Sequence, residues 1–72
     1  MLSGERQALE FQRLVERVRG EFLEMPGLRL TIPQAARLWG LDRPSCEAVV
    51  DVLIECEFLQ RTASGAVARA DD

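Results

Sequence analysis

A chain of 72 residues with a net charge of −3 and no histidine excludes several classes of protein. The length is that of one domain, residues 1–72, and a chain this short buries only about 60 % of its unfolded surface, so its core must be efficient or shared. All nine basic residues are arginines, set against twelve carboxylates. That balance is not the basic signature of a nucleic-acid-binding domain.

The same inventory argues against catalysis. Without histidine or lysine there is no ready general base, the serines have no visible partner, and no glycine-rich phosphate loop occurs. Cys46 and Cys56 lie ten residues apart on one predicted helix, about 15 Å along its axis, too far for a disulfide. We expect no enzyme, no cofactor and no metal, and each cysteine is interpreted as a small buried hydrophobe.

The ends of the chain and its hydropathy bear on location. No run of about 18 apolar residues is present, so we expect no membrane span. The first residues lack the apolar segment of a signal peptide, and we expect a cytoplasmic protein. Residues 1–4 and 70–72 are expected to be loose termini.

The first predicted element is a helix from Glu5 to about Glu24. Its apolar residues recur at spacings of four and three, which is typical of a helix that packs along one seam. The residues of this predicted dimer seam are Phe11, Val15, Val18 and Phe22. We predict a homodimer to which this helix contributes; the alternative is that the seam packs on the chain's own core.

A short strand and two capped helices follow. Leu28–Leu30 alternates as a strand does. Thr31 and Gln34 form the pattern of a capping box, which predicts a helix from Ile32 to Trp39. We expect the Trp39 indole at the edge of the core, with its N–H hydrogen-bonded.

Gly40 stands where a left-handed residue ends a helix. Asp42 then predicts the start of a third helix, running from Arg43 to about Glu57. Its inward stripe is predicted to consist of Cys46, Val49, Val50 and Leu53.

The remaining chain predicts a hairpin, with arms Phe58–Thr62 and Ala66–Arg69 and a loop at Ser64–Gly65. From Phe11 to Arg69 this order resembles the winged helix-turn-helix superfamily, in particular small bacterial-type winged-helix domains. The resemblance implies a mainly α fold of three helices with a small antiparallel wing sheet. It identifies a fold better than a function, because this architecture serves both DNA-binding regulators and protein-docking modules.

The first functional hypothesis is a DNA-binding transcriptional regulator. The resemblance implies that the third helix reads the major groove of duplex DNA and that cations around it meet phosphates. The residues that would do so are Arg37, Arg43, Ser45, Arg61 and Arg69.

The second hypothesis is a protein-docking module: a subunit, adaptor or inhibitor that binds a basic protein partner. Three carboxylates spaced four residues apart predict one acidic strip on the exposed face of the third helix. The predicted partner face comprises Glu47, Asp51, Val52 and Glu55. The strip would repel duplex DNA, and the alternative is a solvated face that only keeps the protein soluble.

Overall fold

The computed structural model describes the backbone of residues 2–70 and the side chains of residues 7–70. Three helices and a small three-stranded antiparallel sheet make up the fold, in the predicted order of helix, strand, helix, helix, strand, strand, so the fold-class prediction is confirmed. The elements are α1 (Leu2–Glu24), β1 (Leu30–Thr31), α2 (Ile32–Trp39), α3 (Arg43–Glu55), β2 (Leu59–Arg61) and β3 (Ala66–Arg69).

Helix α1 begins at Leu2, three residues before its predicted start. The segment 2–4, expected to be loose, is therefore helical, whereas residues 1, 71 and 72 lie outside the described part of the chain. Val18 and Phe22 are fully buried in the core. Residues 7–10 are exposed, so this part of α1 lies beyond the part of the helix that the core covers.

Helix α2 starts at the predicted capping box. The Thr31 amide donates to Gln34 Oε1 at 3.0 Å, and the Gln34 amide donates to Thr31 Oγ1 at 3.3 Å. The helix ends at Gly40, whose φ of 67° is left-handed, and the amides of Gly40 and Leu41 both donate to the Ala36 carbonyl. These bonds satisfy backbone groups that a helix end leaves open, which confirms both predicted boundaries.

Helix α3 is capped by Asp42, whose Oδ2 accepts from the Ser45 amide at 3.2 Å. The helix ends at Glu55, two residues before its predicted end. There, the Glu57 amide donates to the Ile54 carbonyl and the Phe58 amide to the Leu53 carbonyl, both at 2.9 Å. This is the double hydrogen bond of a Schellman motif, and its left-handed position is held by Glu57 with φ 62° rather than by glycine.

The sheet has the order β1-β3-β2, so the last of the described strands lies in the middle. Leu30 pairs with Val67 on one side of β3, and Leu59 pairs with Arg69 on the other. The turn between β2 and β3 closes through the Thr62 amide, which donates to the Ala66 carbonyl at 2.8 Å. Leu28, predicted to lie in β1, precedes the strand but packs against the core, as does Leu30.

The core is built around the predicted stripe of α3, which is confirmed. Its fully or almost fully buried members are Cys46, Val49, Val50 and Leu53. Trp39 packs edge-on against Phe22, with the ring centroids 6.2 Å apart. Its Nε1 is buried and donates to no acceptor in the described part of the chain, so the expected hydrogen bond is not found there. No helix of the described residues is long and apolar enough to cross a membrane.

Replacing Leu53 by alanine tests the centre of this core. Leu53 is almost fully buried, and we expect Leu53→Ala to lower the free energy of unfolding by about 2–5 kcal/mol, because the side chain leaves a cavity. Urea titration followed by circular dichroism is the measurement. The control is Leu23→Ala, at a half-exposed leucine of α1, with an expected loss below about 1 kcal/mol. Equal losses for the two variants would place Leu53 outside the core.

At the end of α3 we expect a substitution to raise the free energy of unfolding. A left-handed φ costs an L-residue about 1–2 kcal/mol, and glycine avoids that cost while losing more backbone entropy on folding. We therefore expect Glu57→Gly to raise the free energy of unfolding by up to about 1 kcal/mol. The matched control is Glu47→Gly within α3, which should lower it by about 1 kcal/mol. A destabilised Glu57→Gly variant would contradict the left-handed assignment.

Candidate functional site on helix α3 and the hairpin

The exposed face of α3 carries the predicted row of carboxylates. Glu47, Asp51 and Glu55 are all exposed, one on each successive turn, and we call these three residues the acidic strip. At a rise of 1.5 Å per residue the strip is about 12 Å long. Val52, predicted to be an exposed apolar contact beside it, is only half-exposed.

The hairpin reaches this strip through an ion pair. Arg61 Nη2 lies 3.0 Å from Asp51 Oδ1, joining the end of β2 to the middle of α3. Both side chains keep about half or more of their surface exposed, at 48 % and 63 %, so the pair adds at most about 1 kcal/mol to stability. Its larger effect is electrostatic, since the central carboxylate of the strip and a predicted phosphate-binding arginine neutralise each other.

The second hairpin arginine is also engaged within the chain. The Arg69 guanidinium lies over the Phe58 ring, with Cζ 5.0 Å from the ring centroid, and Arg69 is half-buried. Arg19 of α1 lies over the same ring at 5.2 Å. Both distances are within the range of a cation–π interaction. Phe58 thus ties the sheet to α1 through two guanidinium groups.

The three remaining residues of the DNA hypothesis lie around the turn between α2 and α3. Arg37 and Arg43 are exposed. Ser45 is half-buried, and its side chain and amide hydrogen-bond to Asp42, which holds the pKa of that carboxyl below its ordinary value. Two of the four candidate arginines are therefore exposed around the turn, and the other two contact groups of the chain itself.

The predicted dimer seam divides into two parts. Val18 and Phe22 are fully buried within the chain, so they pack on the chain's own core, which was the alternative for this seam. Phe11 and Val15 are half-buried and pack against the same core. The physical reason is the small size of the domain, because the core recruits the apolar face of α1 for itself.

The two cysteines have different environments, and both are free thiols. Cys46 is buried with its Sγ 3.9 Å from the Ile32 carbonyl oxygen, and burial, reinforced by the charge of Glu47, raises the pKa of its thiol. Cys56 is exposed at the end of α3, so its interpretation as a buried hydrophobe is wrong. Among the described residues, no three cysteine, aspartate or glutamate side chains are grouped closely enough to hold a metal ion.

The sequence predicts the exposed acidic strip but not the contact of its central residue, Asp51, with Arg61. The contact between Asp51 and Arg61 depends on where the hairpin lies against α3, and ten residues separate the two in the sequence. The cation–π contacts of Phe58 with Arg19 and Arg69 combine residues of three different segments. The one sequence feature that points to the contact between Phe58 and Arg69 is their position near the ends of two strands predicted to pair.

The sequence matches no protein-family profile, no curated protein and no solved structure at a significant level. The layout of three helices and a three-stranded antiparallel sheet is compatible with a winged-helix fold. The functional hypotheses therefore rest on the chain's own surfaces.

The cap of α3 predicts a pH dependence. Because Asp42 has a lowered pKa in the folded chain, its stabilising effect is complete above the ordinary value of 3.8 and is lost as the pH falls through the lower folded value. Asp42→Asn keeps a capping oxygen but does not titrate. We expect wild type to lose more stability than this variant between about pH 6 and about pH 3. Parallel pH profiles in urea titrations would contradict a titrating cap.

Proposed function

We propose that this chain is a non-enzymatic, cytoplasmic protein-docking domain whose exposed α3 face binds a basic surface of a partner protein. The ion pair between Asp51 and Arg61 carries this proposal. It neutralises the β2 arginine, so a DNA phosphate would have to displace Asp51 in order to bind Arg61. It leaves Glu47 and Glu55 as exposed carboxylates on either side.

The electrostatic comparison favours a protein partner over duplex DNA. DNA affinity depends on cations that displace the counterions of the phosphates, and each lost contact lowers it. Here Arg61 is paired with a carboxylate and Arg69 lies over Phe58, while two carboxylates remain on the helix that would enter the groove. A basic protein surface would instead find complementary charges at both ends of the strip.

A DNA-binding transcriptional regulator is the second candidate, favoured by two exposed arginines. Arg37 lies in the last turn of α2 and Arg43 is the first residue of α3. Both therefore flank the turn of the helix-turn-helix unit, where phosphate contacts are made when such a unit binds DNA. In this alternative, duplex contacts come from the start of α3 and not from its middle.

Fluorescence anisotropy with two labelled probes separates the candidates. The probes are an oligolysine peptide and a random-sequence duplex, each titrated at low and at physiological salt. A docking domain should bind the peptide, more weakly in Glu47→Gln and Glu55→Gln, and should not bind the duplex at low salt. The matched control is Glu16→Gln, an exposed carboxylate on α1, which should leave peptide binding unchanged.

The opposite pattern would favour DNA. Wild type would then bind the duplex with a steep salt dependence, and Arg43→Ala would weaken that binding. Asp51→Lys would strengthen it, because the substitution also releases Arg61 from its ion pair. If Asp51→Lys changes neither duplex nor peptide binding, the acidic strip is only a solvated face. A pull-down from native lysate with and without nuclease then identifies the natural partner class.

A further inference from the structure

A groove lies along one side of α2, and no residue of the acidic strip lines it. Its volume is about 630 Å³, and its lining combines the β1 residue Leu30 with one side of α2, namely Pro33, Gln34, Arg37 and Leu38. Leu38 is 56 % exposed, one of the most exposed large apolar residues of the described chain. Among the described residues, Arg37 is the single charged one in the lining. An occupant therefore needs apolar side chains and a carboxylate.

The adjacent edge of the sheet is poorly suited to pairing with an extended peptide. β1 is an edge strand of only two residues, Leu30 and Thr31. The Thr31 amide already donates to Gln34 Oε1 in the capping box, so this backbone group is not available to pair with an added strand. Recognition in the groove must then come from side chains, as a helix would supply them.

The N-terminal half of α1 presents a helix surface with the required chemistry. Leu9 is 54 % exposed, and a second, shallower groove on α1 is lined by Glu10, Arg13, Leu14 and Arg17. Leu9 lies about 14 Å along the helix from Val18, the first fully buried residue among the described side chains of α1, and on the opposite side of the helix. It therefore faces away from the core and is accessible to another molecule.

The two surfaces match in register when the helices run antiparallel. Aligning Leu9 with Leu38 brings Glu10 level with Arg37, because one numbering rises as the other falls. Continuing by one turn brings Arg13 level with Gln34. It also brings Leu14, which is half-buried against the chain's own core, level with Pro33. The pairing is apolar with apolar at both ends, opposite charges beside the first pair, and polar with polar beside the second. Residues at the same level need not face each other directly, and the long side chains of Glu10, Arg13 and Arg37 can reach a neighbouring position on the facing helix.

We propose that two copies of this chain form a dimer in which the outer side of α1 of each copy occupies the α2 groove of the other. Two reciprocal contacts close the assembly around a twofold axis, so that it does not grow further. The interface leaves the acidic strip uncovered. Its test is therefore independent of the proposed docking function of α3.

Charge reversal gives the sharpest test, with sedimentation velocity across micromolar to submillimolar concentrations as the measurement. Wild type should convert from monomer to dimer as the concentration rises. Glu10→Arg and Arg37→Glu should each weaken the dimer by at least about tenfold, since each brings like charges together at both contacts. An equimolar mixture of the two variants should recover the dimer, because both contacts of the mixed pair then join opposite charges. The double variant should recover it too.

Matched substitutions control for loss of folding and for nonspecific hydrophobic association. Leu9→Gln should weaken the dimer, whereas Leu23→Gln, at a similarly exposed leucine on the same side of α1, should not. Circular dichroism establishes that each variant is helical. A strictly monomeric wild type would overturn the proposal, and so would charge reversals that fail to rescue each other. A mass that grows beyond two copies would show a head-to-tail contact and overturn the closed dimer.

Discussion

Every part of this fold depends on one apolar stripe along α3. Cys46, Val49, Val50 and Leu53 are buried against α1, α2 and the sheet, so a single helix of 13 residues supplies the shared wall of the core. A helix used in this way has only one face left for solvent. On this chain that face is acidic, and the charge available for binding is therefore fixed on the same element that stabilises the domain.

The wing arginines illustrate how a small domain uses its charged side chains internally. Arg61 joins the hairpin to α3 through Asp51, and Arg69 joins it to Phe58 and, through that ring, to Arg19 of α1. A two-stranded hairpin is only marginally stable by itself. These contacts, together with the buried Leu59 and Val67, hold it against the helices. Side chains that the winged-helix resemblance would assign to DNA phosphates thus contact groups of the chain itself.

Local features of this fold were predictable, whereas contacts between distant segments were not. The capping box at Thr31, the left-handed Gly40 and the inward stripe of α3 are set by residues within a few positions of one another. The Asp51–Arg61 pair and the commitment of Phe22 to the core depend on how whole elements pack. The pattern of apolar residues on α1 is the same whether the helix packs on the chain's own core or on a second molecule. The sign of the charge on α3 was predictable, but its partial neutralisation was not.

The position of β3 has a consequence for synthesis on the ribosome. The central strand β3 follows both of its partners, β1 and β2, in the sequence. Leu30 can pair only after Val67, 37 positions later, has been synthesised, whereas α1, α2 and α3 can already pack together. The sheet therefore closes as a late step, and until β3 emerges the nascent chain exposes the apolar side of α3 that the hairpin covers, which makes that interval its most aggregation-prone stage.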